Sequence, residues 1–162
     1  MTNIRLVLTQ DLPEVLKLFQ HAREFMVRTG NPNQWKDYHP QKELIEGDIA
    51  NQTGYVIVDD NVIVGYFALL FGEDPTYHDI DGKWLNDLPY ATIHRLGSNG
   101  KRSGIFIDAV NFAFTKINNI RIDTHRKNIV MLNLFKKYDF IYCGIVRIGD
   151  GTERIVYQKY LD

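Results

Sequence analysis

The most informative part of the chain is a strand-like run that leads into a polar, glycine-bearing loop and then an apolar helix. It reads Ile93-His94-Arg95-Leu96-Gly97-Ser98-Asn99-Gly100-Lys101-Arg102-Ser103-Gly104-Ile105. A helix that begins after such a loop offers unpaired N–H groups and the positive end of its dipole, and glycines let a ligand approach the backbone. Lys101 and Arg102 add positive charge. The segment predicts an anion site suited to a pyrophosphate; the alternative is a plain polar turn that caps a helix.

Two common nucleotide motifs do not fit this loop. A P-loop requires G-x-x-x-x-G-K-[ST], and Arg95 and Arg102 occupy the positions of its first Gly and its Ser or Thr. The dinucleotide pattern G-x-G-x-x-G is also broken. ATP and NAD are therefore disfavoured as ligands.

Hydrophobic periodicity and turn residues predict the elements on either side of the loop. The predicted order is β-α-α-β-β-β-α-β-α-β-β. Strands are expected at 4–8, 55–58, 62–71, 90–96, 120–124, 140–148 and 154–160. Helices are expected at 11–30, from Pro40 onward, at 105–117 and from Asn128 onward. The segments 31–38 and 72–89 are expected to be loops, and the second is long enough to hold a substrate.

Local residues support several of these boundaries. Asp11 and Glu14 resemble a capping box for the first helix, and the residues at 59–61, Asp-Asp-Asn, suit a tight hairpin turn. The strands at 90–96 and 120–124 are joined by a helix and should run parallel across a right-handed crossover. We therefore expect an α/β fold, a mixed sheet with helices on both faces.

Length and composition predict one folded domain, 1–162. A hydrophobic share of 44% argues against disorder. Nineteen basic and 20 acidic residues give a net charge of -1, so neither a nucleic acid nor a membrane is expected as a partner. Cys143 is the only cysteine, and the start at Met1 lacks the pattern of a signal peptide. We expect a cytoplasmic protein.

The element order and three segments of the chain resemble the GNAT superfamily of N-acetyltransferases. The segments are the loop after strand 90–96, residues 120–128 (IRIDTHRKN) and residues 137–145 (KYDFIYCGI). The last segment is similar to the family's K-x-G-F helix end, with Asp139 in place of Gly. The family's pyrophosphate loop, Q/R-x-x-G-x-G/A, corresponds to residues 99–104, from which Asn99 and Arg102 depart. The resemblance implies a mostly antiparallel sheet in which strands 90–96 and 120–124 are parallel and splayed.

The resemblance also implies how the chain would hold acetyl-CoA, which is then a co-substrate, with no metal. Leu96 would present backbone groups to the pantetheine arm, residues 100–104 would donate N–H groups to the pyrophosphate, and Asn128 would lie beside the acyl-CoA. The expected cofactor-binding residues are Arg95, Leu96, Asn99, Gly100, Lys101, Arg102, Ser103, Gly104, Asn128 and Met131.

Acetyl transfer to an amine requires a proton acceptor, because an alkyl ammonium has a pKa near ~10. His94, on the strand near the expected acetyl group, is the first candidate; His125 and Asp123, at the end of strand 120–124, are the next. The alternatives are a hydrogen-bonded strand histidine for His94 and a cap of the following helix for the other two.

The proton that the departing thiolate takes up has a less obvious source. The family often uses a tyrosine five residues before the Phe of G-F, and that position is Phe135 here. Tyr138, Tyr142 or solvent could replace it. Cys143 could suggest an acyl-cysteine route, but a lone cysteine in an apolar strand is more typical of a core.

Residues of the acceptor side give weaker indications. The segment 72–89 carries five acidic residues against Lys83, which favours a cationic amine: Glu73, Asp74, Asp79, Asp81 and Asp87. Trp35, Tyr38, Tyr77 and Trp84 either line an acceptor pocket or pin these segments to the core.

We therefore expect an N-acetyltransferase that passes acetyl directly from acetyl-CoA to a primary amine of a small molecule or peptide. The alternative is a catalytically weak acyl-CoA-binding or protein-interaction module on the same fold. Transfer to oxygen, or transfer of a longer acyl chain, is a further alternative. Pairing of exposed strands near the C-terminus could give a homodimer.

Overall fold

The computed structural model describes residues 2–36 and 38–162, so Met1 and Asp37 lie outside the described residues. The helices are α1 (Leu12–Arg28), α2 (Lys42–Asn51), α3 (Ile105–Phe114) and α4 (Ile129–Lys137). The strands are β1 (Thr2–Leu6), β2 (Gly54–Asp59), β3 (Val62–Phe71), β4 (Asp81–Gly82), β5 (Ala91–Ser98), β6 (Asn119–Thr124), β7 (Ile141–Arg147) and β8 (Glu153–Tyr160). None of the helices in the described ranges is long and apolar enough to cross a membrane.

The eight strands of the described residues form one sheet, in the order β1-β2-β3-β5-β6-β8-β7-β4. Neighbouring strands are antiparallel except for β5 and β6, which are parallel. These two strands pair only at Ala91 with Ile120 and at Thr92 with Arg121, and beyond that they part. The predicted mixed sheet with a parallel, splayed pair is confirmed.

Alternating side chains of β2 and β3 divide the core between the two faces of the sheet. Val56 and Tyr66 belong to the cluster that includes Phe19 of α1 and residues of α2. The next residues along the chain, Ile57 and Phe67, belong to the cluster built on α3. Helices therefore cover both faces, as the sequence predicts.

The hairpin between β2 and β3 also follows the prediction. Asp60 and Asn61 both have positive φ, 48° and 66°. Positive φ at both central residues is the geometry of a type I′ turn, which matches the twist of the strands that it joins.

Several helix boundaries differ from the predictions. The Asp11 carboxylate does not cap α1 but accepts from the Leu8 N–H at 2.8 Å and pairs with Arg5 at 2.7 Å. The predicted capping box with Glu14 is therefore wrong, because the carboxylate has turned back toward β1. Helix α2 begins two residues after Pro40, and α3 ends at Phe114 rather than at 117.

The predicted loop 72–89 contains a short 3-10 turn, Pro75–Tyr77, and the two-residue strand β4. The Trp84 indole N–H donates to the Tyr77 carbonyl at 3.1 Å, and the Leu85 N–H donates to Gln158 at 2.9 Å. The first contact lies within the segment, and the second fastens the segment to β8. Because β4 was not predicted, the predicted strands at 90–96 and 120–124 correspond to β5 and β6.

Candidate active site

A bulge interrupts β5 at the point where it leaves β6. Tyr66 of β3 faces Gly97 and Ala68 faces His94, so Arg95 and Leu96 together stand opposite a single β3 residue. Arg95 has a φ of 52°. Beyond Thr92 no described strand covers the other edge of β5, and alternate backbone groups of β5 therefore open into the gap.

The Arg95 side chain anchors this bulge to α2. Its guanidinium donates to both oxygens of Asp48, at 3.0 and 2.6 Å. The Tyr66 hydroxyl donates to the same carboxylate at 2.5 Å. Burial and the Asp48 carboxylate raise the pKa of Tyr66, so the phenol stays protonated.

A cavity of about 610 Å³ lies beside the loop that joins β5 to α3. Its walls come from α1, β5, the loop, α3 and α4, and they are mostly apolar. Seven of the predicted cofactor-binding residues line it: Leu96, Gly100, Arg102, Ser103, Gly104, Asn128 and Met131. Arg95, Asn99 and Lys101 do not.

The loop presents unpaired backbone donors. None of the described residues accepts a hydrogen bond from the N–H groups of Arg102, Ser103 or Gly104. Gly100 and Gly104 have φ of 76° and 82°, in the left-handed region that favours glycine. Such a run of free N–H groups at a helix start can receive an anion.

The side chains of Asn99 and Arg102 tie the loop to the surrounding protein. The Asn99 amide donates to the Ile63 carbonyl at 2.9 Å and accepts from the Lys101 N–H at 3.0 Å. The Arg102 guanidinium lies 3.0 Å from Asp59 and pairs with Asp108. Its charge is therefore largely neutralised by carboxylates.

A smaller cavity of about 260 Å³ adjoins the first. The two share Met26, Leu96, Asn128 and Met131 in their walls. The shared residues include the β5 bulge and the start of α4, where β5 and β6 part. The two cavities therefore meet at the gap in the sheet.

Two hydrogen-bonded pairs contribute polar groups to the smaller cavity, which His94, Asp74 and Asp123 line. His94 Nε2 lies 3.3 Å from Asp74 Oδ2, and this hydrogen bond is the main cause that lowers the pKa of Asp74. The Tyr77 hydroxyl donates to Asp123 Oδ2 at 2.5 Å. Burial and the Asp123 charge raise the pKa of Tyr77 well above its usual value.

A third charged group, Arg154 of β8, closes the cavity from the C-terminal hairpin. Its Nε lies 3.9 Å from Asp123 Oδ1, within ion-pair distance but too far for a hydrogen bond. Its charge adds to burial in lowering the pKa of His39 and of His125.

The fold has counterparts among known proteins at the level of overall structure. No family model and no curated protein matches the chain. Among solved structures, a GNAT-family acetyltransferase from Streptococcus agalactiae 2603 is 30% identical with a TM-score of 0.89, over 99% of this chain and 96% of that one. The chain belongs to the GNAT family of acetyltransferases.

Other solved structures agree with this assignment. An acetyltransferase from Staphylococcus aureus Mu50, described as putative, is 27% identical with a TM-score of 0.69, over 98% of this GNAT chain and 99% of that one. The ribosomal-protein-S18-alanine N-acetyltransferase from Escherichia coli shares the fold, at 12% identity and a TM-score of 0.64, over 100% and 95% of the two chains.

The predicted catalytic residues of this GNAT protein do not all come together. His94 and Asp123 line the smaller cavity, whereas Tyr138 lines the larger one. His125 lines neither; its Nδ1 accepts from the Lys127 N–H at 3.1 Å, and the side chain that caps α4 is that of Asn128. Tyr142 lies outside both cavities.

Phe135 and Cys143 are both buried and supply no reactive side chain to the cavities. Phe135 is fully buried and lines the smaller cavity, so no phenol stands at that position. Cys143 is buried outside both cavities, and burial raises the pKa of its thiol. A raised thiol pKa disfavours the nucleophilic thiolate.

The residues predicted for the acceptor side also divide. Trp35 and Asp74 line the smaller cavity. Tyr77 and Trp84 line a separate cavity of about 430 Å³ together with Glu73 and Asp87. Tyr38, Asp79 and Asp81 are exposed and line none of these three cavities.

Sequence reasoning missed the residues that join distant segments at the site. The Gln34 side-chain oxygen accepts from Thr124 Oγ1, the His125 N–H and Asn128 Nδ2, at 3.2 to 3.3 Å. Arg154 was also missed, and no local pattern marks either residue. Within the described residues, no group of three His, Cys, Asp or Glu is placed to hold a metal ion.

Proposed function

We propose that this GNAT protein transfers an acetyl group from acetyl-CoA directly to a primary amine of a small molecule or peptide. The observation that carries the proposal is the meeting of the two cavities at Leu96 and Asn128, where β5 and β6 part. A thioester reaching this gap from one side meets an amine reaching it from the other. Such an arrangement suits direct transfer with no acyl-enzyme intermediate.

The larger cavity supplies the features that acetyl-CoA needs. The free N–H groups of Arg102, Ser103 and Gly104 would bind the pyrophosphate. The mostly apolar walls that lead from this loop to Leu96 would cover the pantetheine arm. Leu96 and Asn128 would then flank the thioester at the junction of the cavities.

His94 is our proposed general base. The attacking amine must be neutral, and its ammonium form must first lose a proton. With Nε2–H donating to Asp74, the lone pair is on Nδ1, and none of the described residues donates to it. His94 would take the proton from the ammonium, and Asp74 would orient the ring and stabilise the imidazolium that forms.

The remaining steps require an oxyanion donor and a leaving group. Amine attack on the thioester carbonyl forms the C–N bond and places negative charge on oxygen. A backbone N–H at the uncovered edge of β5 would stabilise that charge. Collapse re-forms the C=O bond, breaks the C–S bond and releases the second proton of the attacking nitrogen to solvent. A thiol pKa near ~8.5 makes the thiolate a tolerable leaving group, which Tyr138 or solvent then protonates.

The first test is calorimetric titration of acetyl-CoA into the wild type, Gly104→Glu and Gly149→Glu. Gly104 lies in the loop, whereas a side chain at Gly149 meets nothing within 4 Å, so the second variant is a matched control. We expect the wild type to bind acetyl-CoA with a micromolar Kd. The affinity should fall at least tenfold in Gly104→Glu and stay unchanged in Gly149→Glu. No binding by the wild type would overturn the proposal.

The second test separates an enzyme from a catalytically weak binding module. Asn99, Arg102 and Phe135 depart from the family pattern, and they motivate that alternative. CoA release is measured against a panel of primary amines, with hydroxyl acceptors and longer acyl-CoA donors beside them. Release with an amine and acetyl-CoA supports the transferase; tight binding without release from any pair supports the module.

We also propose a cytoplasmic location. Its support is the free, buried thiol of Cys143, which is compatible with a reducing compartment. Fractionation of cells that produce the tagged protein tests it, and recovery in a membrane or extracellular fraction would contradict it.

A further inference from the structure

The guanidinium of Arg154 has unused hydrogen-bonding capacity in the smaller cavity. The residue is only 8% exposed, and it lines that cavity. Its Nη1 donates to the Glu153 carbonyl at 3.2 Å, and none of the described residues accepts from Nη2. A guanidinium carries five N–H donors, and those that the protein leaves unpaired can donate to a ligand in the cavity.

Two other arginines near the cavities differ from Arg154 in this respect. Arg95 lines the same cavity, but its guanidinium already donates to both oxygens of Asp48. Arg121 lies against the rings of Trp84 and Tyr90, at 4.2 and 4.1 Å from their centroids, and lines the separate cavity. Of these three arginines, only Arg154 lines the smaller cavity with a guanidinium from which no described carboxylate accepts.

We infer that Arg154 forms a carboxylate subsite, so that the acceptor of this enzyme is a small amino-carboxylic acid. Planar guanidinium groups match the two oxygens of a carboxylate, which makes this anion the natural ligand of the unpaired N–H groups. The inference rests on the proposed function, because that function supplies the requirement that the acceptor carry a primary amine.

The charges of the cavity suit both ends of such a molecule. Asp74 and His94 would receive the ammonium at one side, and Arg154 would receive the carboxylate at the other. Asp123 lines the same cavity, but its Oδ2 accepts from the Tyr77 hydroxyl and its Oδ1 lies 3.9 Å from Arg154 Nε. Because both oxygens of Asp123 already have neighbours, we expect Asp123 to orient Arg154 and Asp74 to bind the ammonium.

The histidines near Arg154 do not supply competing charge. His39 lines the cavity and His125 lies behind it, and burial followed by nearby arginine charges lowers the pKa of both. Both are therefore neutral at pH 7. Arg154 remains the cationic group available to a carboxylate on this side.

The size of the cavity limits the acceptor. About 260 Å³ is below the range of roughly 300–1,000 Å³ typical of drug-sized ligands. A compact molecule with its amine and carboxylate a few bonds apart fits these dimensions.

The test uses acceptors in matched sets, each an amino acid, its carboxamide and its decarboxylated amine. CoA release gives kcat/KM for each. For the wild type we expect the acid to exceed both partners by about tenfold or more, which corresponds to the loss of one charged hydrogen-bonding pair. In Arg154→Gln the acid falls to the level of its partners, while those partners keep their rates within about threefold. Arg154→Lys retains part of the preference.

Arg147→Gln is the matched control, because Arg147 is exposed on the same hairpin and lines none of the three cavities. It should keep the preference for the acid. Equal rates for acids, amides and amines in the wild type would overturn the inference while the proposed function stands. A uniform fall for all three acceptors in Arg154→Gln and Arg154→Lys would make Arg154 a positioning residue for Asp123.

A binding measurement keeps the inference testable if no acceptor turns over. N-acetyl amino acids and their N-acetyl amides are titrated into the protein with CoA present. We expect the acid to bind at least tenfold tighter in the wild type and in Arg147→Gln, and no difference in Arg154→Gln. Equal binding in the wild type would reject the subsite, whereas failure to bind acetyl-CoA would reject the proposed function instead.

Discussion

The guanidinium of Arg95 binds both carboxylate oxygens of Asp48, at 3.0 and 2.6 Å, and so joins the bulge of β5 to α2. Asp48 is 4% exposed, and the Tyr66 hydroxyl also donates to it. The pair connects the helix layer on one face of the sheet to the strand that opens the active-site gap.

Loss of Asp48 should therefore destabilise the fold. Asp48→Ala leaves the largely buried Arg95 guanidinium and the buried Tyr66 hydroxyl without their shared partner, and we expect the free energy of unfolding to fall by about 3–5 kcal/mol. Urea unfolding measures the change. Glu43→Ala, an exposed change in the same helix, should stay within about 0.5 kcal/mol. A loss below 1 kcal/mol in Asp48→Ala would contradict the importance of the pair.

The proposed base predicts a specific kinetic signature. His94→Gln should lower kcat by about 10²–10⁴-fold, the usual contribution of general base catalysis, with acetyl-CoA affinity unchanged. Asp74→Asn should give a smaller fall, because it removes only the group that orients the ring. Steady-state kinetics and calorimetry make the comparison. Full activity in His94→Gln would shift the role to Asp123 or to water.

Gly100 and His21 should be coupled. A Cβ at Gly100 would lie 2.7 Å from His21 Nε2, and the positive φ of 76° adds backbone strain. Gly100→Ala should cost about 1–2 kcal/mol and weaken acetyl-CoA binding. His21→Ala should restore the part that comes from the clash but not the part that comes from φ. Strict additivity in the double variant would contradict the contact.

Asn128 should act in two separable ways. Its Oδ1 accepts from the Met131 N–H at 3.1 Å and caps α4, while its Nδ2 donates to Thr124 and Gln34. Asn128→Ala should cost about 1 kcal/mol or more through the lost cap. Asn128→Asp keeps the cap acceptor and loses both donors. If Asn128→Asp matched Asn128→Ala in thermal unfolding, the cap would not be the main contribution.

Stability should fall at acid pH partly through Asp11. The hydrogen bond from Arg5 is the main cause that lowers the pKa of this carboxyl in the folded state. A lowered folded pKa means that the stabilisation is present above the unfolded value of about 3.9 and is lost as pH falls through the folded value. Asp11→Asn should flatten this part of the pH–stability curve, whereas Asp79→Asn, an exposed change, should leave it unaltered. Parallel curves for Asp11→Asn and the wild type would reject the contribution.

The sequence by itself determined the turns, caps and loops whose backbone conformation depends on one or two neighbouring residues. Asp60 and Asn61 tolerate the positive φ of a tight hairpin, Asn128 caps α4, and the glycines of the loop at 99–104 allow its turn. The period of apolar residues separated strands from helices. These features could be read in advance because the residues that cause them lie within a few positions of one another.

Tertiary structure alone decided which distant side chains meet. Asp11 pairs with Arg5 instead of capping α1, and Arg95 pairs with Asp48. The Gln34 side chain bonds to Thr124 of β6 and to Asn128 at the start of α4. Arg154 reached the cavity only because β8 lies beside β6 in the sheet. In the sequence each of these charged or amide groups is indistinguishable from a solvated surface residue, since its partner is set by strand order and helix packing rather than by spacing along the chain.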